Sequence, residues 1–407
     1  MLSQFTFKNY KCFKDETILD MQAVTITELE DTIIKDKKDG ERFIPVASIY
    51  GPNGSGKSTV LEAIWHLTSK IMFPIVMFEN TEDKENITQN NTMPFMLDDI
   101  SKDEPTEFHI IFRYNDTEFN YYISFLENKI LNESLYKINI GEKKESEIFY
   151  RGENEIKNGS LLKSVSKTEI SSKMPYLSFL KINYNISIIN EVIEWFGKCD
   201  YSHYGKSFEE RHFFFPKDNK GKELIISVLN EMDIDINDIE IKKDDKDKIE
   251  DIITIRNRGS EKYPLSFFDE SSGTIKVITL LPKVLDSIVH GKLMIIDELD
   301  AKLHPKLLRY IINLFKNPEI NKFGAQLIFT SHDLTIMKND LFRRDEIWFT
   351  AKNKNDVSEL YSLIELRDEK GELIRKNSRF DKQYLEGRYG ADPYFRSIID
   401  WEVLLDE

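Results

Sequence analysis

Residues Gly51 to Thr59 read "GPNGSGKST" and satisfy the spacing G-x-x-x-x-G-K-[ST]. Glycines at this spacing let backbone N–H groups curl around phosphate oxygens with no Cβ in the way. Gly51, Pro52, Asn53, Gly54, Ser55 and Gly56 would form that cradle. Lys57 would reach the β- and γ-phosphates as a mobile point charge. The Ser58 hydroxyl offers a Mg2+ position, and Thr59 completes the motif. A helix starting here aims its positive end at the same anion.

A second stretch, "LMIIDELD" from Leu293 to Asp300, is an apolar run ending in acids. If it is a parallel strand, Asp297 emerges at the carboxyl edge of the sheet, beside the phosphate loop. Asp297 is then a natural Mg2+ ligand, direct or through water. Glu298, one residue on, can polarise an attacking water, and Asp300 closes the turn. "QLIFTSHD" repeats the pattern, so His332 emerges where it can sense a γ-phosphate. His304, in "LHP", reads as helix-start packing.

A third stretch, "ESSGT", precedes the helical run "IKVITLLPKVLD". Ser271, Ser272, Gly273 and Thr274 could form an anion-binding nest at a helix N-terminus. They could equally be a plain serine N-cap.

Flanking patterns supply the elements that must hold these groups. "IPVASIYG" is a buried strand before the phosphate loop, and "STVLEAIWHLTSK" is an amphipathic helix after it. Phe5, Phe7 and Ile18 alternate as strands do, and "AVTITEL" continues that pattern. "EDTIIKDKKDGERF" is a charged loop. "EFHIIFRY", "TEFNYYISFL" and "NKILNESLYKI" predict three antiparallel strands. From 141 to 250 the chain is less regular, with helical patches at "SIINEVIEWFG" and "GKELIISVLNEM" and two strands around the charged turn "KKDDKDK". After Ser271 the order is helix, strand, helix "PKLLRYIINLF", strand, then strand "EIWFT".

The bulk properties narrow the function. The 407 residues are 40% hydrophobic and 31% charged, a globular balance. Apolar runs such as Ile71–Phe78 fall short of a membrane span. No basic-then-apolar leader opens the sequence. Two cysteines, Cys12 and Cys199, support neither a disulfide framework nor a Cys-based zinc site, and a reducing cytoplasm is expected. A net charge of −15 repels nucleic acid, so any such contact needs a local basic patch.

The order of these motifs resembles the ABC-type ATPases of the SMC-like group, and among them the small prokaryotic AAA ATPases of abortive-infection and phage-defence systems. "FKNYKCFKD", "GPNGSGKST", "ESSGTIK", "IIDELDAKLHP", "FTSHD" and "YLEGRYGADPYF" carry it, over about half the chain. The resemblance implies an α/β fold, an ABC-type head with an antiparallel β lobe and a mixed α/β insertion. No sustained heptads predict a long coiled coil. The expected division is 1–140 with the phosphate loop and β lobe, 141–250 as an insertion, and 251–407 as the rest of the head.

The resemblance also implies roles. Ser271 and Gly273 match the signature serine and glycine, in a looser form than Leu-Ser-Gly-Gly. Asp297 and Glu298 match the Walker B aspartate and catalytic glutamate, Asp300 the D-loop aspartate, and His332 the switch histidine. Gln89 is the candidate for the Q-loop glutamine. ATP and Mg2+ would be sandwiched between two copies of the chain, in a homodimer or higher homo-oligomer, each signature facing the other copy's γ-phosphate. The reaction is hydrolysis of the β–γ bond. The expected setting is a cytoplasmic antiphage switch acting through a separately encoded effector, a nuclease or toxin. The remaining readings are an SMC-like DNA-repair or maintenance ATPase, which needs a basic groove, and a non-hydrolysing scaffold, which Glu298 argues against. No membrane partner is expected. The C-terminal "FDKQYLEGRYGADPYFRSIIDWEVLLDE" predicts either a helix and loop packed on the head or a partner dock.

Overall fold

A computed structural model describes residues 1–79, 93–166, 169–203, 219–243, 249–368 and 370–391. The chain opens with β1 (Leu2–Lys8), β2 (Thr17–Asp20), and a short hairpin, β3 (Ile34–Lys35) and β4 (Arg42–Phe43). Then come β5 (Val46–Tyr50), α1 (Lys57–Glu79), β6 (Thr106–Tyr114), β7 (Thr117–Leu126) and β8 (Lys129–Asn139). Next are β9 (Ser146–Arg151), β10 (Ile156–Asn158), α2 (Tyr176–Asn183), α3 (Ser187–Phe196) and β11 (Cys199–His203). α4 (Asn219–Glu231), β12 (Asp238–Lys243), β13 (Ile249–Arg258), β14 (Glu261–Ser266), α5 (Ser272–His290) and β15 (Leu293–Asp297) follow. The chain continues through α6 (Pro305–Lys316), β16 (Gln326–Thr330), β17 (Ile347–Lys352), β18 (Ser358–Ser362) and α7 (Phe380–Leu385).

Two sheets enclose α1. Five strands run parallel in the order β11-β15-β16-β5-β17, with β18 antiparallel at the edge. Parallel strands buried on both faces read as unbroken apolar runs, and all five residues of β5, β15 and β16 are buried. Side-chain alternation splits each strand between two cores. Leu293 and Ile295 face a core shared with α1, α2 and α3, while Met294 and Ile296 face one shared with α5 and α6. The other large sheet is antiparallel, β10-β9-β8-β7-β6-β1-β2, and closes the first core from the far side. Its central strands bury alternate residues, as Phe108, Ile110 and Phe112 do on β6.

Residues 141–250 are shared among these layers. β9 and β10 extend the antiparallel sheet, α2 and α3 pack with α1, and β11 is the outermost parallel strand. β13 pairs with β12 on one side and β14 on the other in a three-stranded sheet next to α5. The tip of that hairpin, 244–248, lies outside the described residues.

The strand expected at "AVTITEL" is not formed. Ala23 N still donates to Arg42 O on β4 at 2.8 Å, but from Val24 onward side chains take several of the segment's backbone groups. Val24 N donates to Asp345 Oδ2 at 2.9 Å, and Arg343 donates to Val24 O at 2.9 Å and Glu28 O at 2.7 Å. Arg343 is fully buried and pairs through two nitrogens with Asp345 at 2.9 and 2.7 Å. Within the charged loop, β3 and β4 pair, and Arg113 holds Asp36 at 3.1 Å and Asp39 at 2.9 Å. Phe380, Tyr384 and Tyr389 are buried, and the rings of Tyr384 and Tyr389 lie 5.6 and 5.1 Å from that of Phe349 on β17. The described part of the C-terminal segment is thus packed on the head.

Arg343→Met leaves Asp345 and two carbonyls buried without their cation. Breaking a buried pair in this way costs about 3–5 kcal/mol, so the urea midpoint of unfolding falls correspondingly. A change under about 1 kcal/mol, the range of exposed pairs, would show that the network is not holding the 23–29 loop.

Candidate nucleotide site

The parallel register determines where the chemistry can gather. Ile49 pairs with Thr330, and Ile296 with Phe329, so the ends of β5, β16 and β15 lie side by side at one carboxyl edge. The phosphate loop leaves β5 there, Asp297 and Glu298 leave β15, and His332 follows β16. A cleft of ≈ 270 Å³ forms between them. Asn53, Gly54, Gly56, Lys57, Ser58, Thr59, Asp297, Glu298, His332 and Cys12 line it.

Two glycines fit the loop into a space no side chain would share. Gly51 has φ 153°, and a Cβ there would meet Thr350 O at 2.3 Å. Gly56 has φ 106°, and a Cβ would meet the Phe13 ring at 2.7 Å and Cys12 Sγ at 3.0 Å. The N-terminal loop is therefore the wall behind the phosphate loop. Ser55 Oγ donates to Pro52 O at 2.8 Å and contacts Thr350 Oγ1 at 2.6 Å, which ties the loop to β17.

Lys57 is buried at the first turn of α1, and its Nζ donates to Gly51 O at 2.8 Å and Pro52 O at 3.0 Å. Burial lowers its pKa below the usual lysine value, while the carboxylates of Asp297, Glu298 and Asp300 pull it back up. Asp297 is buried at the strand end. Thr330 Oγ1 donates to Asp297 Oδ1 at 2.5 Å and accepts from Glu298 N at 2.7 Å. Glu298 has φ 54°, a left-handed conformation uncommon outside glycine. His332 is exposed, and its backbone N–H donates to Asp300 Oδ2 at 3.1 Å.

Chemically, the glycine cradle, one lysine, a serine hydroxyl and a buried carboxylate suit a polyphosphate with a hard divalent cation. Glu298 adds a base facing the same space.

Ser271, Ser272 and Gly273 do not line this cleft. Ser271 caps α5, its Oγ accepting from Thr274 N at 3.1 Å, so the N-cap reading holds geometrically. Both serines are exposed, so the turn is free to meet another molecule. His304 caps α6 through Nδ1, which accepts from Lys306 N at 3.2 Å. Gln89 lies outside the described residues.

Sequence reasoning missed Thr330, Thr350, Cys12 and Lys276. Only Thr330 had a local signal, a hydroxyl ending an apolar strand.

A family profile described as "AAA domain, putative AbiEii toxin, Type IV TA system" matches residues 46–338, from β5 to just beyond His332. The chain belongs to that family. It is thus an AAA-type ATPase domain, with an α/β fold and no long coiled coil among the described residues. The AAA domain is also similar to the SMC head domain from Thermotoga maritima, at 14% identity over 89% of this chain and 98% of that one, with a TM-score of 0.39. A structure of the recombination mediator protein RecF in the RecFOR pathway matches at 10% identity over 88% and 98%, with a TM-score of 0.31. No curated protein matches in sequence. Among the described residues one helix of this AAA domain, α1, is long and apolar enough to cross a membrane, and half of its most apolar stretch is buried.

Thr330→Val keeps the strand's shape but removes the hydroxyl joined to Asp297 and Glu298. We expect ATP turnover to fall about 10–100-fold, in the range lost with outer-shell partners. Nucleotide affinity should change less than turnover. Titration with a fluorescent ATP analogue beside a phosphate-release assay separates the two.

Proposed function

We propose that this AAA domain binds ATP with Mg2+ and hydrolyses the β–γ bond. The observation that carries the reading is the convergence of Lys57, Ser58, Asp297, Glu298 and His332 on one cleft at the carboxyl edge of a parallel sheet.

The loop amides from Gly51 to Gly56 and the N-terminus of α1 would hold the phosphates, with Thr59 closing the cradle. Lys57 would exchange its two loop carbonyls for β- and γ-phosphate oxygens. Ser58 and Asp297 would hold Mg2+, and the two protein oxygens suit a cation that keeps most of its water. When bound, Mg2+ neutralises charge developing on the phosphates. Glu298 would accept a hydrogen bond from the attacking water, whose oxygen bonds to the γ-phosphorus as the bond to the β–γ bridging oxygen breaks. The φ of Glu298 and the bond from its N–H to Thr330 support a fixed backbone beneath the carboxylate. His332 would contact the γ-phosphate and respond to its departure.

Ser271 and Ser272 are exposed, Gly273 is half-buried, and all three lie outside their own chain's cleft, which supports a paired arrangement. In it, each copy presents its α5 N-terminus to the other copy's triphosphate, and Asp300 stands at the shared boundary. The arrangement is a homodimer or a higher homo-oligomer. The family description, a putative toxin of a toxin–antitoxin system, supports a role in such a two-component system; we further propose that the role is a cytoplasmic antiphage switch acting through a separately encoded nuclease or toxin.

Lys57→Ala abolishes nucleotide binding in this reading. Glu298→Gln keeps binding but lowers turnover about 10²–10³-fold or more, the scale of losing one directing group, and it accumulates ATP-bound dimer. Phosphate release and light scattering with ATP and Mg2+ read both effects. A Glu298→Gln chain hydrolysing at the parental rate removes Glu298 from the reaction.

A further inference from the structure

The serine–glycine turn and the hydrolytic loop of one chain are joined by a residue that neither motif contains. Lys276 lies one turn into α5 and is only 2% exposed. Its Nζ donates to Glu298 O at 3.2 Å, Leu299 O at 2.8 Å and Ala301 O at 2.6 Å. These carbonyls belong to the loop that carries Glu298 and Asp300. The first turn of α5 also lies against this loop, since a Cβ on Gly273 would come within 3.2 Å of Lys302 O.

The far side of the turn is held as firmly. Glu270, just before Ser271, is buried and accepts from Arg256 Nη1 at 2.7 Å and Nη2 at 2.9 Å, and from the Thr254 hydroxyl. The turn is therefore clamped between β13 and the hydrolytic loop.

Burying an ammonium is costly unless its donors are used. Filling the space alone would be better done by leucine or methionine. What the ammonium adds is a common donor to three carbonyls of this loop, alongside the loop's own bond from Ala301 N to Glu298 O at 3.1 Å. One of them is Glu298 O, in a residue whose left-handed backbone costs roughly 1–2 kcal/mol and persists only where its surroundings hold it. Thr330 holds the Glu298 N–H, and Lys276 holds its carbonyl.

We propose that Lys276 is a positioning residue that makes the serine–glycine turn and the Glu298 loop of one chain a single rigid unit. A triphosphate captured on the turn then sets the hydrolytic loop of that same chain, which serves the other composite site. Turnover at the two sites is coupled through this lysine. The inference rests on the paired-head reading above.

The test uses the full chain with Lys276→Met and Lys276→Arg. The parental protein should show turnover that rises with ATP more steeply than a single-site curve. Lys276→Met should bind a fluorescent ATP analogue within about twofold of the parent, lose about tenfold in kcat, the scale of one lost positioning contact, and follow a single-site curve. Lys276→Arg, which can still donate to these carbonyls, should recover most of kcat and the steepness. If Lys276→Met does not fold, as judged by thermal melting, Lys276→Gln takes its place with the same expectations. A variant with parental kcat and parental steepness overturns the coupling, as does a parent that shows single-site behaviour. If instead no dimer forms with ATP, as read by light scattering, the paired-head reading fails first, and the two failures are told apart.

Discussion

One hydroxyl holds the hydrolytic edge together. Thr330 sits at the end of β16, between the strand that launches the phosphate loop and the strand that ends in acids. It donates to Asp297 and accepts from the amide of Glu298. Because β16 is interposed, Asp297 and Glu298 leave the sheet two strand spacings from β5, about 9–10 Å. That gap is the space a cation and a γ-phosphate need. Were β15 directly beside β5, the carboxylates would crowd the loop and no cleft would remain. The register of three parallel strands, and this bridge across two of them, precede everything else in the site.

The same geometry explains which parts were legible in sequence. The phosphate loop is a local device, and its glycines meet a requirement that spacing alone displays. Asp297, Glu298 and His332 could be placed because an apolar run buried on both faces must end at a sheet edge, and its next residues must emerge there. The serine–glycine turn was legible as a helix start for the same local reason. Lys276 was not, because a lysine in the first turns of a helix normally faces water. Its burial depends on a loop 22 residues further along the chain. β11 was missed because "CDYSH" carries no apolar run, and it earns its place only by pairing with β15. "AVTITEL" failed in the opposite direction. Its alternation was genuine, but a buried arginine claims the carbonyls of Val24 and Glu28 and Asp345 takes the Val24 N–H, which interrupts any ladder there.

Buried charge recurs wherever an irregular segment meets the cores. Arg343 with Asp345 holds the 23–29 loop, Arg256 with Glu270 holds the approach to α5, and Lys276 holds the Glu298 loop. In each case the cation donates to carbonyls or carboxylates that no regular element satisfies. Such contacts are less forgiving than apolar packing, because a shift of an ångström breaks them. They suit a head whose loops must hold one geometry. They add less where only stability is at stake, since apolar residues of similar size often do as well.

Electrostatics give the paired reading its direction. Each chain carries a net charge of −15, so two copies repel at long range. Inside the cleft, Asp297 and Glu298 with the nearby Asp300 outnumber Lys57, and a triphosphate adds more negative charge. Lys57, a cation and the start of α1 offset part of this. A second helix N-terminus, worth about half a positive charge, would offset more, and only another copy can bring it, since the α5 turn does not reach its own cleft. Without nucleotide that turn has no anion to meet, and repulsion dominates. With nucleotide, the phosphates become the one place where the second copy's turn finds an opposite charge. On this reading association and nucleotide occupancy are the same event, and a head that holds its turn and its hydrolytic loop rigidly together converts that event into chemistry.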